Sequence, residues 1–299
     1  MALNLESLPL YVEQRRLPLI KEAVLKAKSA GLFNLQTDIK TSAVINLVSV
    51  DPVFQTGGCG WTDAGTASLT QRTINTGLMK INMSFCEKDF LKYWTGYEVK
   101  VGVGSENLPF EEYFTSLITE KVKAGVEKMI YQGDTASSDN NLKHFDGLIK
   151  ILNAETEVVK PTLASGISAY EAIKAVYMAI PEKVLDRAVI LVGADMFRSY
   201  MQEMVEKNFY HYSADGYPNE EFVIPGTNVR VIAVNGLNGT NAIIGADLNN
   251  LFYGCDLMND TEVFDLWYSK DFREMRLAIS FNAGVQVAFP NEVVFATKA

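Results

Sequence analysis

Residues 109–133, PFEEYFTSLITEKVKAGVEKMIYQG, constrain this chain more than any other stretch. Phe110, Tyr113, Phe114, Leu117, Ile118, Val122, Val126, Met129 and Ile130 recur at three- and four-residue steps. That spacing predicts one long amphipathic helix. Pro109 suits its first turn, Glu111 and Glu112 lie where the helix dipole favours acids, and Gly133 is a natural stop. At 1.5 Å per residue the rod is roughly 33 Å long, which is long for a globular protein and needs a large apolar surface to cover. Its other face carries Glu120, Lys121, Lys123, Glu127 and Lys128. That face is expected to meet solvent or the N-terminal arm of a neighbouring copy.

A chain of 299 residues can bury such a surface, and its length suggests about two domains. The start of the chain has no basic, apolar signal pattern, and no apolar run reaches the length of a membrane span. A cytoplasmic protein without a membrane partner is expected. Three widely spaced cysteines, Cys59, Cys86 and Cys255, fit neither a disulfide framework nor a cysteine zinc site. The net charge is −9. Residues 1–40 carry six basic and four acidic side chains, Arg15 and Arg16 among them, so the remainder is the acidic part. An acidic body does not hold nucleic acid by neutralising phosphates.

Residues 1–18 read as an extended arm, and Leu19–Ala30 as a short helix stopped by Gly31. Val44–Val50 is a β-rich run ended by Asp51-Pro52. Gly57, Gly58, Cys59, Gly60 and Trp61 form a turn-rich centre. Thr66–Phe85 ends in an alternation of Met79, Ile81, Met83 and Phe85 with polar residues. Two strands joined at a glycine-rich tip are expected, with so little apolar content along the middle that the hairpin projects. An isolated hairpin is marginal in water, which implies a partner surface, most simply another copy. Glu87–Trp94 reads as a short helix and Tyr97–Val103 as a strand that shares a sheet with the chain's last strands. Ser168-Ala169-Tyr170-Glu171 is a capping box that opens a helix to Ile180. Ala188–Val192, Val229–Val234 and Ala242–Ile244 read as strands, and Asp195–Lys207 as a helix buried through Met196, Phe197, Tyr200, Met201, Met204 and Val205. Strand and helix alternate here as in one α/β unit. Met275, Leu277, Ile279 and Phe281, then Val285, Val287 and Phe289, alternate as sheet strands, and Val293–Phe295 closes the chain.

Chemistry-bearing patterns are sparse. Cys59 is the most enzyme-like residue, but a thiolate nucleophile needs a base, and His144 and His211 are the only histidines. A small residue at a hairpin tip explains it better. Val101-Gly102-Val103-Gly104 lacks the third glycine of a dinucleotide fingerprint. Asp215-Gly216 and the loop Asp134–Asp139 lack calcium-loop spacing and read as solvated turns. No catalytic, cofactor-binding or metal-binding residue is assigned. Trp61, beside the glycine tip, is the tryptophan expected at an intersubunit contact.

Taken in order, these features resemble the major capsid proteins of tailed bacteriophages, the Hong-Kong-97-type fold. The local matches are Gly57–Trp61 with Thr62-Asp63-Ala64-Gly65, Tyr131-Gln132-Gly133-Asp134 at the helix end, and Asp146-Gly147-Leu148 after it. Ile224-Pro225-Gly226-Thr227-Asn228-Val229 and Gly284-Val285-Gln286-Val287-Ala288-Phe289-Pro290 complete them. The resemblance implies an α+β fold with an N-terminal arm (1–41), an extended β-hairpin loop (42–84), a peripheral domain with a long spine helix (85–160 and 261–299) and an axial α/β domain (161–260). It implies a structural, non-enzymatic protein that assembles with copies of itself into hexamers and pentamers. Their shell would be the icosahedral head that encloses DNA without sequence-specific binding. Scaffolding, portal and decoration proteins would be its partners, and its place the virion, or the host cytoplasm during assembly.

Some members carry a helical scaffolding segment ahead of the arm. An arm that begins at Met1 leads us to expect a separate scaffolding protein, or a start left by processing. No residue is matched to the lysine–asparagine cross-link of other members. The intersubunit contacts expected are Gly57, Gly58, Cys59, Gly60 and Trp61 at the tip, Arg15 and Arg16 in the arm, and Glu120, Lys123 and Glu127 on the helix. The alternatives are an encapsulin-type compartment shell, which shares the fold, and a cytoplasmic cysteine-dependent enzyme acting through Cys59.

Overall fold

The computed structural model describes residues 24, 26–61, 63–86, 110–207, 221–256, 263–272 and 274–298. In chain order the elements begin with α1 (Lys28–Leu32), β1 (Asn34–Gln36), β2 (Ser42–Pro52), β3 (Gly65–Asn75) and β4 (Gly77–Phe85). The spine helix α2 (Phe110–Gln132) follows, then α3 (Leu148–Ala154), α4 (Ala169–Ala179), α5 (Glu182–Leu185), β5 (Ala188–Gly193) and α6 (Ala194–Glu206). The remaining strands are β6 (Glu221–Val223), β7 (Arg230–Val234), β8 (Ala242–Asp247), β9 (Leu251–Cys255), β10 (Val263–Ser269), β11 (Glu274–Val287) and β12 (Val294–Thr297). The expected segments Glu87–Trp94 and Tyr97–Val103 lie outside the described residues, as do Arg15, Arg16 and His211.

One sheet is built around β11, a strand of 14 residues. Its first part lies between β4 and β10, both antiparallel, and its end pairs with β9, which in turn pairs with β1 in parallel. The alternation in the sequence holds: Met275, Leu277, Ile279, Phe281, Ala283, Val285 and Val287 are all buried, while Arg276, Ala278 and Ser280 are half-exposed. Ala283-Gly284 does not divide the strand. Glycine is required there by crowding, because a Cβ on Gly284 would stand 2.2 Å from the Asn75 carbonyl oxygen.

The second sheet has the order β12-β8-β5-β7-β6, with β5 and β7 parallel and the other pairs antiparallel. Its central strands are buried on both faces, as their nearly continuous apolar sequence requires. Successive residues serve different cores. Val189, Leu191, Ile232, Val234, Ile244 and Phe295 face a core shared with the spine helix and the β11 sheet. Ile190, Val192, Val231, Ala233, Ile243 and Val294 face a second core closed by α4 and α6. The spine helix thus supplies Ile118, Val122, Val126, Met129 and Ile130 to one core walled by both sheets.

Two strands cross the expected domain boundaries: β9 (251–255) pairs into the β11 sheet, and the terminal β12 pairs into the α/β sheet.

Helix ends follow local chemistry. Ser168 caps α4, its Oγ accepting from the Glu171 amide at 3.2 Å. The Ala169 and Tyr170 amides are bound instead by the Glu203 carboxylate of α6, at 2.9 and 3.2 Å. Tyr200 stacks on Tyr170 at 6.2 Å, and burial, with Tyr170 beside it, pushes its hydroxyl above the ordinary tyrosine value.

Several expectations need correction. The helix expected over Leu19–Ala30 with a stop at Gly31 is interrupted at Lys26 and Ala27, and α1 then runs from Lys28 through Gly31 to Leu32. Leu117 and Val205, placed by periodicity on buried faces, are exposed, because each lies at the margin of its helix's apolar stripe.

Candidate assembly surface

Strands β2 and β3 pair residue for residue from Ser42↔Asn75 to Pro52↔Gly65. At about 3.3 Å per residue the ribbon is roughly 36 Å long. Only its root is buried. Ile45, Leu47 and Ile74 pack with Ile39 and Ala288 in a small core of their own. The Gln286 Nε2 donates to the Thr73 carbonyl at 2.8 Å, Asn282 Nδ2 to that of Lys40 at 3.1 Å, and Arg72 forms an ion pair with Glu155. These bonds fix the ribbon's departure from the body.

Beyond Val48 both ribbon faces are open, and the exposed side chains include Val48, Val50, Val53 and Leu69. Phe54 is 99% exposed and Trp61 93%. Large apolar side chains left this open are unusual on the surface of a monomer. The tip residues Gly57, Gly58, Cys59, Gly60 and Trp61 stand together in solvent. Gly65, at the re-entry to β3, has φ +119°, and a Cβ there would approach Asp51 O to 2.9 Å. Glycine is therefore needed where the tip rejoins the ribbon.

The second limb of the hairpin differs from expectation. Met79, Ile81, Met83 and Phe85 are not part of it; they lie in β4, paired antiparallel with β11 from Phe85↔Met275 to Gly77↔Ala283. The Thr76 amide donates to Thr41 O at 2.9 Å and closes the ribbon. The chain then passes under Gly284 and joins the main sheet.

The outer face of the spine helix is less uniform than its sequence. Glu120 is exposed and Lys123 half-exposed. Glu127 is the correction: it is 4% exposed. Helix α1 of the same chain covers it. Ala27, at the N-cap of α1, has no side-chain acceptor, so the cap for the first turn must come from elsewhere. Glu127 Oε2 accepts from the Ser29 amide at 3.0 Å, and Oε1 lies 2.5 Å from Ser29 Oγ, which is 2.6 Å from Tyr131 OH. Burial pushes the Glu127 carboxyl above its ordinary range, against the Ser29 hydrogen bonds and the nearby Lys28 and Lys123. Burial and the neighbouring Glu127 push the Tyr131 hydroxyl up further. Val24, Ala27, Ala30 and Phe33, spaced by three, were the sequence signal for this docking; all four are buried.

The helix ends on two close backbone approaches. A Cβ on Gly133 would lie 2.5 Å from Phe145 O, and one on Gly147 2.6 Å from both Gly133 N and Tyr131 O. This is why a glycine stands in both Gln132-Gly133-Asp134 and Asp146-Gly147-Leu148. The Lys150 Nζ closes the intervening loop, 2.6 Å from Asp134 Oδ1 and 2.7 Å from Asp146 Oδ1. The turn Asn235–Leu237 sits on the same end of the helix, where Gln132 Nε2 donates to Gly236 O at 2.7 Å.

Among the described residues, no group of three or more His, Cys, Asp or Glu is gathered to hold a metal ion. No helix among them is long and apolar enough to cross a membrane.

No protein-family model matches the sequence, nor does any curated protein. Solved structures do match. The satellite phage P4 procapsid, a structure that includes the size determination protein, aligns with a TM-score of 0.65 at 11% identity, over 94% of this chain and 90% of that one. This chain has the Hong-Kong-97-type capsid fold. Gordonia phage Cozz gives 0.58 at 13% identity over 91% and 86%. The virus-like particle from Pyrococcus furiosus gives 0.54 at 11% over 94% and 98%. Within the capsid fold, the long helix is the spine and the ribbon the extended loop that the sequence order implied.

Proposed function

We propose that this chain is the major capsid protein of a tailed phage, assembling with copies of itself into the shell that encloses the DNA. The observation that supports it is the ribbon. Its distal half exposes Phe54, Trp61, Val50 and Leu69, with Phe54 and Trp61 the most exposed of the large apolar side chains among the described residues. Such an arm gains stability only when a neighbouring copy covers it. The tip Gly57–Trp61, the exposed Glu120 and the half-exposed Lys123 are the surfaces assigned to that contact. Hexamers and pentamers, with scaffolding, portal and decoration proteins as further partners, complete the proposal, with the virion as the final location. No catalysis is assigned, and Cys59 acts as a tip residue.

The Pyrococcus furiosus particle, matched over 98% of its chain, favours a second reading, an encapsulin-type compartment shell. Purifying the particles and measuring what they hold tests the two. Packaged DNA supports the phage capsid; a cargo enzyme without DNA refutes it and supports the compartment.

A further inference from the structure

We propose that Glu127 is a pH-sensitive clasp that holds residues 26–33 on the spine helix and closes on taking up a proton. This proposal does not depend on the shell reading, because every contact in it is made within one chain.

The segment docks through two kinds of contact. Val24, Ala27, Ala30 and Phe33 form an apolar stripe, and Phe33 meets Tyr131 edge-on at 6.2 Å. At the centre of the stripe is one fully buried polar residue, Ser29, and its partner is a carboxylate. The side chain of Glu127 supplies the cap that Ala27 lacks, so the first turn of α1 is completed by a residue 98 positions away. Releasing the segment would expose the carboxylate and the Ser29 amide together.

The network accepts Glu127 in either protonation state. When it is ionised, Ser29 Oγ donates to Oε1 and Tyr131 OH donates to Ser29 Oγ. When it is protonated, Oε1 donates to Ser29 Oγ, which then donates to Tyr131 OH. The Ser29 amide donates to Oε2 in both. The groups facing the carboxylate are few. Lys28 and Ser29 come from α1, Lys123 and Tyr131 from the spine helix itself. The turn at Gly236 packs on the Glu127 carbonyl oxygen with backbone only, since a Cβ there would be 2.2 Å from it. Lys28 and Lys123 favour the ionised form, but burial outweighs them.

The sign follows. In the released segment Glu127 titrates at its ordinary value, and in the docked one above it. Docking therefore takes up a proton between those two values. The docking constant falls as pH rises through that window, by at most about tenfold per pH unit for one proton, and is level above it.

Hydrogen exchange of the amides at residues 27–33, corrected for intrinsic rate, measures the docking in the full chain. Residues 188–193 of the central strand β5 serve as the internal reference. The wild-type protection is expected to fall, relative to the reference, from the ordinary glutamate range toward neutral pH. Glu127→Gln keeps an acceptor for the Ser29 amide and a donor for Ser29 Oγ, so it should match the acid-pH protection at every pH. Wild-type protection that does not change with pH overturns the proposal. So does a Glu127→Gln variant with the wild-type slope, or one that has lost protection throughout.

Discussion

Replacing Gly236 with alanine tests how the spine helix is seated. A Cβ at this position would lie 2.2 Å from Glu127 O, 2.4 Å from Tyr131 Cδ2 and 3.1 Å from the Glu127 carbonyl carbon. Gly236 does not lie in the left-handed region, so the penalty is steric rather than conformational. Two of these contacts are with the backbone of the helix, which cannot turn aside as a side chain can. The turn and the helix must separate, at a cost near the top of the usual overpacking range, about 3 kcal/mol. At about 2 °C per kcal/mol for a chain of this size, the melting temperature should fall by about 6 °C.

Gly125 on the same helix is the control. It is exposed, and a Cβ there would meet nothing within 4 Å. Alanine should therefore stabilise the helix by up to about 1 kcal/mol through the lost flexibility of glycine, raising the melting temperature by about 2 °C. The assay is thermal unfolding of the unassembled chain, both variants beside wild type. A Gly236→Ala protein that melts at or above wild type would refute the seating of the helix on the turn. A Gly125→Ala protein that melts lower would show that this helix face is covered.

Two further outcomes are expected. Lys150 holds the Asp134 carboxyl below its ordinary value, and also Asp146, where burial opposes and the hydrogen bonds from Lys150 and Thr135 prevail. The stability they contribute is present above the ordinary aspartate value of 3.8 and is lost as pH falls through the lowered ones. Melting temperature against pH should accordingly be flatter in that window for Lys150→Met than for wild type. Deleting Gly57–Trp61 should leave a folded body with wild-type circular dichroism while reducing assembly measured by sedimentation; unchanged assembly would remove the role given to the tip.

Much of this architecture could be read from the sequence where local periodicity decides structure. The alternation through Met275–Phe281, the continuous apolar run of Ala188–Val192 and the Ser168 cap each specify their element within a few residues. What could not be read depends on pairing at long range. Nothing near Val294 indicates that β12 joins β8, and the alternation of Met79–Phe85 fits a hairpin limb as well as a separate strand. The ribbon register ends at Asn75, the Thr76 amide bonds Thr41 O, and Gly77–Phe85 then pairs with β11. Glu127 was misplaced for the same reason: its position on the helix is that of a solvated residue, and its burial depends on a helix 98 residues earlier that lacks a cap of its own. The exposed tip was legible because glycine and tryptophan with few apolar neighbours have no core to join. The exposure of Phe54, Val53 and Val50 depends on how the two strands pair and leave the body, which local sequence does not specify.

The most direct measurement is negative-stain microscopy of the purified full chain, alone and with a scaffolding partner. The account predicts rings, sheets or closed shells built from one repeating unit. A homogeneous monomer that forms none of these under either condition would contradict it.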